Sequence, residues 1–161
     1  MIKNISNLGD SALYCDFGNE VNKSINSQVI KYFKTIKEKK VKGINNLTPS
    51  YNKLIISYDL KQTNFNEVKK NIENLDIEYS LKLKNKKLEI PVCCHESFSL
   101  DIKRLEKILN LSKDKILEKF LNKEYFCYMT GFIAGMPFLG DLDQNMRAQR
   151  LETPRVKVPK G

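Results

Sequence analysis

Two apolar stripes of helical spacing, each set among short β-branched runs, constrain this chain more than any other feature. From Val21, the residues Ile25, Val29, Tyr32, Phe33 and Ile36 recur every three or four positions. They predict a helix of about four or five turns with one buried stripe and a lysine-rich solvated face. Phe65, Val68, Ile72 and Leu75 repeat the pattern, and Asn64 with Glu67 supplies an N-cap with a reciprocal Glu at N3. Residues 2–5 and 12–17 read as strands separated by the turn dipeptide Gly9-Asp10. An extended stretch over 41–47, bounded by Gly43 and Pro49, and a strand over 53–58 stand between the helices. Tyr79, Leu81 and Leu83 alternate with polar residues, and residues 88–92 resume after a polar turn at Asn85, which predicts a strand pair with one face on the helices. This order suits a two-layer α+β sandwich over residues 1–86.

Beyond Pro91 the character changes. Residues 101–109 and 113–121 predict two short amphipathic helices, the second capped by Ser112. Residues 120–138 then hold six of the fifteen aromatic residues, and residues 131–161 hold four of the seven glycines. The run from Tyr125 to Gly140 is too glycine-rich for a helix and too apolar for a solvated linker, so it reads as a strand entering ordered loops. Glycines at 131, 135 and 140 allow positive φ or close backbone approach. A ligand pocket walled by aromatic rings and a packed barrel corner need the same residues, and both readings stand.

Composition narrows the function classes. The formal net charge is +9, but the lysines are spread from Lys3 to Lys160 rather than gathered on one face, which argues against nucleic-acid binding. No run of about 18 apolar residues and no apolar leader appears, so the expectation is a cytoplasmic protein without a membrane span. The cysteines, Cys15, Cys93, Cys94 and Cys127, form no CxxC pair and read as reduced thiols. On a strand, Cys93 and Cys94 would point to opposite faces, a poor ligand set with His95, so no metal is expected. Arginine is used selectively: of four, Arg147, Arg150 and Arg155 fall in the last fifteen residues. A guanidinium offers a rigid donor fork for carboxylate or phosphate that a lysine cannot copy, while a surface ion pair is the plainer use.

The segment YFCYMTGFIAGMPFLGDL (125–142), followed by QRLETPRVKVPKG (149–161), resembles the pattern Y-x-V-Y-M-x-G-F-x-P-G-F-P-Y-L-x-G-L and P-R-x-x-x-P-R-x-x-V-P-x-G of the allophanate hydrolase subunit 1 family, with carboxyltransferase subdomains C and D. That family includes the B subunit of the ATP-dependent 5-oxoprolinase. Upstream, GDSAL (9–13), PSY (49–51) and IPVC (90–93) resemble the family's G-D-x-A-L, P-x-Y and I-P-V-C. Departures are Ala134 for Pro, Met136 for Phe, Phe138 for Tyr, Gln149 for Pro, and Cys94-His95 for Tyr-Gly.

The resemblance implies a small α/β domain over 1–86 and a cyclophilin-like β-barrel starting at 87, with the barrel truncated at residue 161. It also implies one component of a hydrolase that opens the lactam of 5-oxo-L-proline to L-glutamate with ATP hydrolysis, alongside A and C subunits and inactive without them. In that setting ATP, with Mg²⁺, binds mainly on a partner or at the interface, because no Walker A or kinase-type glycine loop occurs here. The expected substrate- or nucleotide-binding residues are Tyr128, Gly131, Phe132, Gly135, Phe138, Arg150 and Arg155; no catalytic residue can be named. Relatives in urea carboxylase and a relative that inhibits a sporulation histidine kinase supply the alternatives, a urea-derivative enzyme or a regulatory binding module.

Overall fold

Antiparallel pairing organises the first part of the chain. The computed structural model describes residues 1–77 and 86–157. Strands β1 (Asn4–Asn7), β2 (Ala12–Asp16), β3 (Ile44–Pro49) and β4 (Lys53–Tyr58) form one sheet in the order β1-β2-β4-β3. Alternation sets its inner face: Leu54, Ile56 and Tyr58 of β4 are buried, and Leu13 and Cys15 of β2 lie opposite Ile56 and Leu54. Helix α1 (Lys23–Lys39) adds Val29, Tyr32 and Ile36 to this core, and helix α2 (Phe65–Glu73) adds Val68 and Ile72. Each such aliphatic side chain, taken wholly from water, contributes about 1.5–3 kcal/mol. A two-layer α/β arrangement with an antiparallel sheet is therefore present, as the two helical stripes require.

Several boundaries differ from the sequence reading for local reasons. β1 begins two residues late, because Lys3 N–H already bonds Asp16 O and the ladder runs Asn4↔Asp16 to Asn7↔Leu13. β3 includes Pro49, which a strand tolerates at the sheet edge where no ladder donor is needed. α1 starts at Asn22, whose side chain accepts from Ile25 N–H, and stops at Lys40 in the left-handed region (φ 48°). Asn64 caps α2 by accepting from Glu67 N–H, but the Glu67 carboxylate takes the Thr63 hydroxyl at 2.9 Å instead of the reciprocal backbone bond.

Of the strand pair expected after α2, only the second strand falls among the described residues, and it is not formed there. Tyr79, Leu81, Leu83 and Asn85 lie outside the described residues. Residues 88–92 are not a strand, and Leu88, Ile90 and Val92 are exposed. Among the described residues no neighbouring strand supplies a ladder, and alternation without a partner does not hold an extended chain.

Further along stand α3 (Ile102–Leu109), α4 (Lys113–Leu121), β5 (Phe126–Thr130) and β6 (Pro137–Gly140). β5 and β6 form a two-stranded sheet. Where the start of a truncated cyclophilin-like barrel is expected, the described residues hold this one hairpin and no closed barrel. The chain divides into two compact units, Met1–Asn85 with Cys127–Phe138, and Lys86–Phe126 with Leu139–Gly161. Most of the hairpin thus groups with the four-stranded sheet.

Candidate functional site

The first unit gathers an aromatic wall around one buried amide. Asn26 lies in the second turn of α1 on the inward stripe and is 2% exposed. Its Nδ2 donates to Ser50 O (3.2 Å), Tyr51 O (3.0 Å) and Tyr128 O (3.1 Å). Two N–H groups thus serve three carbonyls, one bond being shared. The partners belong to the turn between β3 and β4 and to β5, more than a hundred residues from Asn26 in the second case. Asn52, also buried, grips the same turn from the other side by donating to Gly18 O at 2.8 Å and Glu20 O at 3.1 Å.

Three rings meet at this clamp. Tyr51 packs against Tyr128 with centroids 5.7 Å apart and meets Phe138 edge-on at 6.1 Å, both within the favourable range for aromatic pairs. Tyr128 is 3% exposed, so it backs the wall, while Tyr51 and Phe138 remain partly open. The Ser50 hydroxyl donates to Met129 Sδ at 3.3 Å. Beside the wall an apolar groove of about 500 Å³ is lined by Ile30 and Phe33 of α1, by Leu47 to Pro49, and by Cys127 to Thr130.

The turn joining β5 to β6 carries the other expected residues. Gly131 N–H bonds Met136 O at 3.1 Å, closing the loop, and Gly135 sits at φ 80°, where a side chain would be strained. Nothing lies within 4 Å of where a Gly135 Cβ would be, so backbone conformation and not crowding selects glycine there. Phe132 also has positive φ (68°) and is 92% exposed, with Ile133 next to it at 63%. An aromatic residue held in the left-handed region, with its ring in water, gains nothing from the fold that surrounds it.

Arg150 and Arg155 belong to the second unit. Arg155 is already used: its guanidinium donates to Asp101 through two bonds of 2.9 and 2.7 Å. Arg104 adds a 3.3 Å contact to the same carboxylate and donates to Gln149 O at 3.1 Å. These guanidinium bonds, that from Arg155 foremost, hold the Asp101 carboxyl below its usual range, and Asp101 in turn raises the Arg155 value. This bond to Asp101 also explains why Asp101 begins α3 without a side-chain cap. Arg150 is exposed and has no side-chain partner among the described residues. Tyr128 and Phe138 are therefore brought together around Tyr51, Gly131, Phe132 and Gly135 shape the adjoining turn, and Arg155 is committed within its own unit.

Asn26 escaped the sequence reading, although a signal was present. It is a polar residue beside Ile25 and three before Val29 on the buried stripe of α1, where an amide needs hydrogen-bond partners. Tyr51 stood out only within the PSY motif (49–51), and nothing local announces its ring contacts with Tyr128 and Phe138. Among the described residues no three His, Cys, Asp or Glu side chains converge on a metal position, and the four cysteines are free thiols. No helix among those residues is long and apolar enough to cross a membrane.

Residues 3–161 match the family described as carboxyltransferase domain, subdomain C and D. The 5-oxoprolinase B subunit of Bacillus subtilis (strain 168) is 31% identical over 169 residues, covering 98% of this chain and 70% of that protein. The 5-oxoprolinase B subunit of Haemophilus influenzae is 30% identical over 122 residues, covering 75% of this chain and 54% of its own length. The chain thus spans little more than half of the second relative. The crystal structure of TTHA0988 superposes with a TM-score of 0.78 at 23% identity, over 92% of this chain and 29% of that one, a likeness of fold. On the family match over nearly every residue, and on the agreement of its relatives, the chain belongs to the carboxyltransferase-domain family, subdomain C and D.

Proposed function

We propose that this chain acts as the B subunit of an ATP-dependent 5-oxoprolinase, opening 5-oxo-L-proline to L-glutamate in the cytoplasm together with A and C subunits. The observation that carries the reading is the 31% identity, over 98% of the chain, to a protein named as a 5-oxoprolinase B subunit. The site is consistent in chemistry. Tyr51 and Phe138 offer an uncharged aromatic face suited to a small flat lactam ring.

ATP enters this reaction as a substrate. Transfer of the γ-phosphoryl group to the lactam carbonyl oxygen releases ADP. Water then adds to the activated carbon, the C–N bond breaks with nitrogen leaving as the amine, and a second water releases phosphate to give glutamate. Such transfer depends on positioning and charge neutralisation. Among the described residues Arg150 has a free donor fork, whereas the Arg155 fork is occupied by Asp101. This reading assigns the triphosphate and its metal mainly to the partners, because the sequence carries no Walker A or kinase-type glycine loop. The wall also lacks a nucleophile beside a base, since the Ser50 hydroxyl faces the Met129 thioether. This chain binds and orients; its partners complete the chemistry.

The test is glutamate formation from 5-oxoproline and ATP by the full-length protein with candidate A and C subunits, each component omitted in turn. Turnover only in the complete mixture is expected. Undiminished turnover without this chain would refute the assignment. A second reading, a regulatory module that docks a protein, draws on the exposed Phe132 and Ile133 at the hairpin turn. It predicts the same hairpin bound to a histidine kinase and no dependence of glutamate formation on this chain.

A further inference from the structure

We infer that Asn26 is a positioning residue for the aromatic wall and the β5–β6 hairpin, an inference that rests on the functional reading above for its kinetic consequence. The amide is almost wholly buried and its three acceptors are all backbone carbonyls, of Ser50, Tyr51 and Tyr128. These carbonyls flank the two tyrosines of the wall. The same side chain therefore sets the spacing of the Tyr51 and Tyr128 backbones, on which the 5.7 Å ring contact depends. Because α1 is anchored in the core through Val29, Tyr32 and Ile36, Asn26 ties a long-range hairpin to the buried core of the first unit. The bond from the Ser50 hydroxyl to Met129 Sδ, which also links the turn to β5, is a weak one to sulfur.

The chemistry is specific to an amide. Three carbonyl partners require donors, which fixes the orientation of the side chain with nitrogen toward them. Aspartate has the same shape but, ionised, presents only acceptors to three carbonyl oxygens. Burial and those oxygens would raise its pKa, so that lowering the pH returns one O–H donor. Serine keeps a single donor in a smaller volume. Substitution should displace the wall rather than unfold α1, whose cap is Asn22 and not Asn26.

The experiment compares wild type, Asn26→Asp and Asn26→Ser in the complete three-component complex, measuring glutamate formation and amide hydrogen exchange. The expected result is a kcat lower by ~10-fold or more in Asn26→Asp, from misplacement of the wall. KM for ATP should be unchanged, the ratio of variant to wild-type kcat should rise as pH is lowered, and Asn26→Ser should be intermediate. Exchange over residues 127–138 should accelerate while β2 and β4 keep their protection. Variants with wild-type kcat and wild-type exchange would overturn the inference, as would equal acceleration in β2 and β4, which marks a general stability residue. If the wild-type complex makes no glutamate, the functional reading falls and exchange alone decides: local acceleration at 127–138 upholds the positioning role, and none removes it.

Discussion

Cys15 and Arg155 show how position decides what a reactive side chain does. Cys15 is wholly buried opposite Leu54, and burial pushes its thiol up to about 12 from an ordinary value of 9.0. Folded and unfolded chains are both protonated there below about pH 9; above it the unfolded thiol ionises first, so stability falls as pH rises toward 12. Urea unfolding between pH 8 and 11 should show a loss approaching about 1.4 kcal/mol per pH unit from this group, absent in Cys15→Ala. Arg155, by contrast, uses its fork on an exposed carboxylate. Arg155→Lys should speed exchange over residues 149–157 because one of two parallel bonds to Asp101 is lost, whereas Lys157→Arg should leave it unchanged. The sequence singles out the fork but not its partner: Asp101 lies 54 residues away, and nothing local announces the pair. Asn26 is the converse case, with a legible position on an apolar stripe and unreadable partners.

At the scale of elements, helices were legible and strand partners were not. α1, α2 and α4 carry both the apolar period and an Asn or Ser cap that the structure uses, because those signals are local. Strand pairing is not local, and residues 88–92 alternate as a strand would while remaining outside any ladder. The hairpin gives a sharper test. Phe132 is strained at φ 68° and 92% exposed, so Phe132→Asn should raise stability by about 0.5–1 kcal/mol in thermal unfolding, since Asn tolerates the left-handed region and little burial is lost. On the proposed function, the same variant should lower glutamate formation in the three-component mixture. Ile56→Ala, at the centre of β4 and wholly buried, should destabilise by about 2–5 kcal/mol, measured by denaturant midpoint.

Across the whole molecule the buried apolar residues are unevenly shared. The continuous core of Leu13, Phe17, Val29, Leu54, Ile56 and Ile72 lies in the first unit, while the second, among its described residues, buries Ile116 and Met146. Hydrogen exchange should accordingly show the strongest protection in β2 and β4 and the weakest in residues 86–100 and 147–157. The most direct test titrates the full-length protein into fixed amounts of the A and C subunits with saturating ATP and 5-oxoproline, following glutamate and phosphate together. The account predicts no product without the chain, then equal amounts of glutamate and phosphate rising to saturation at a fixed stoichiometry. Glutamate formation at full rate before any chain is added, or none at any ratio, would contradict it.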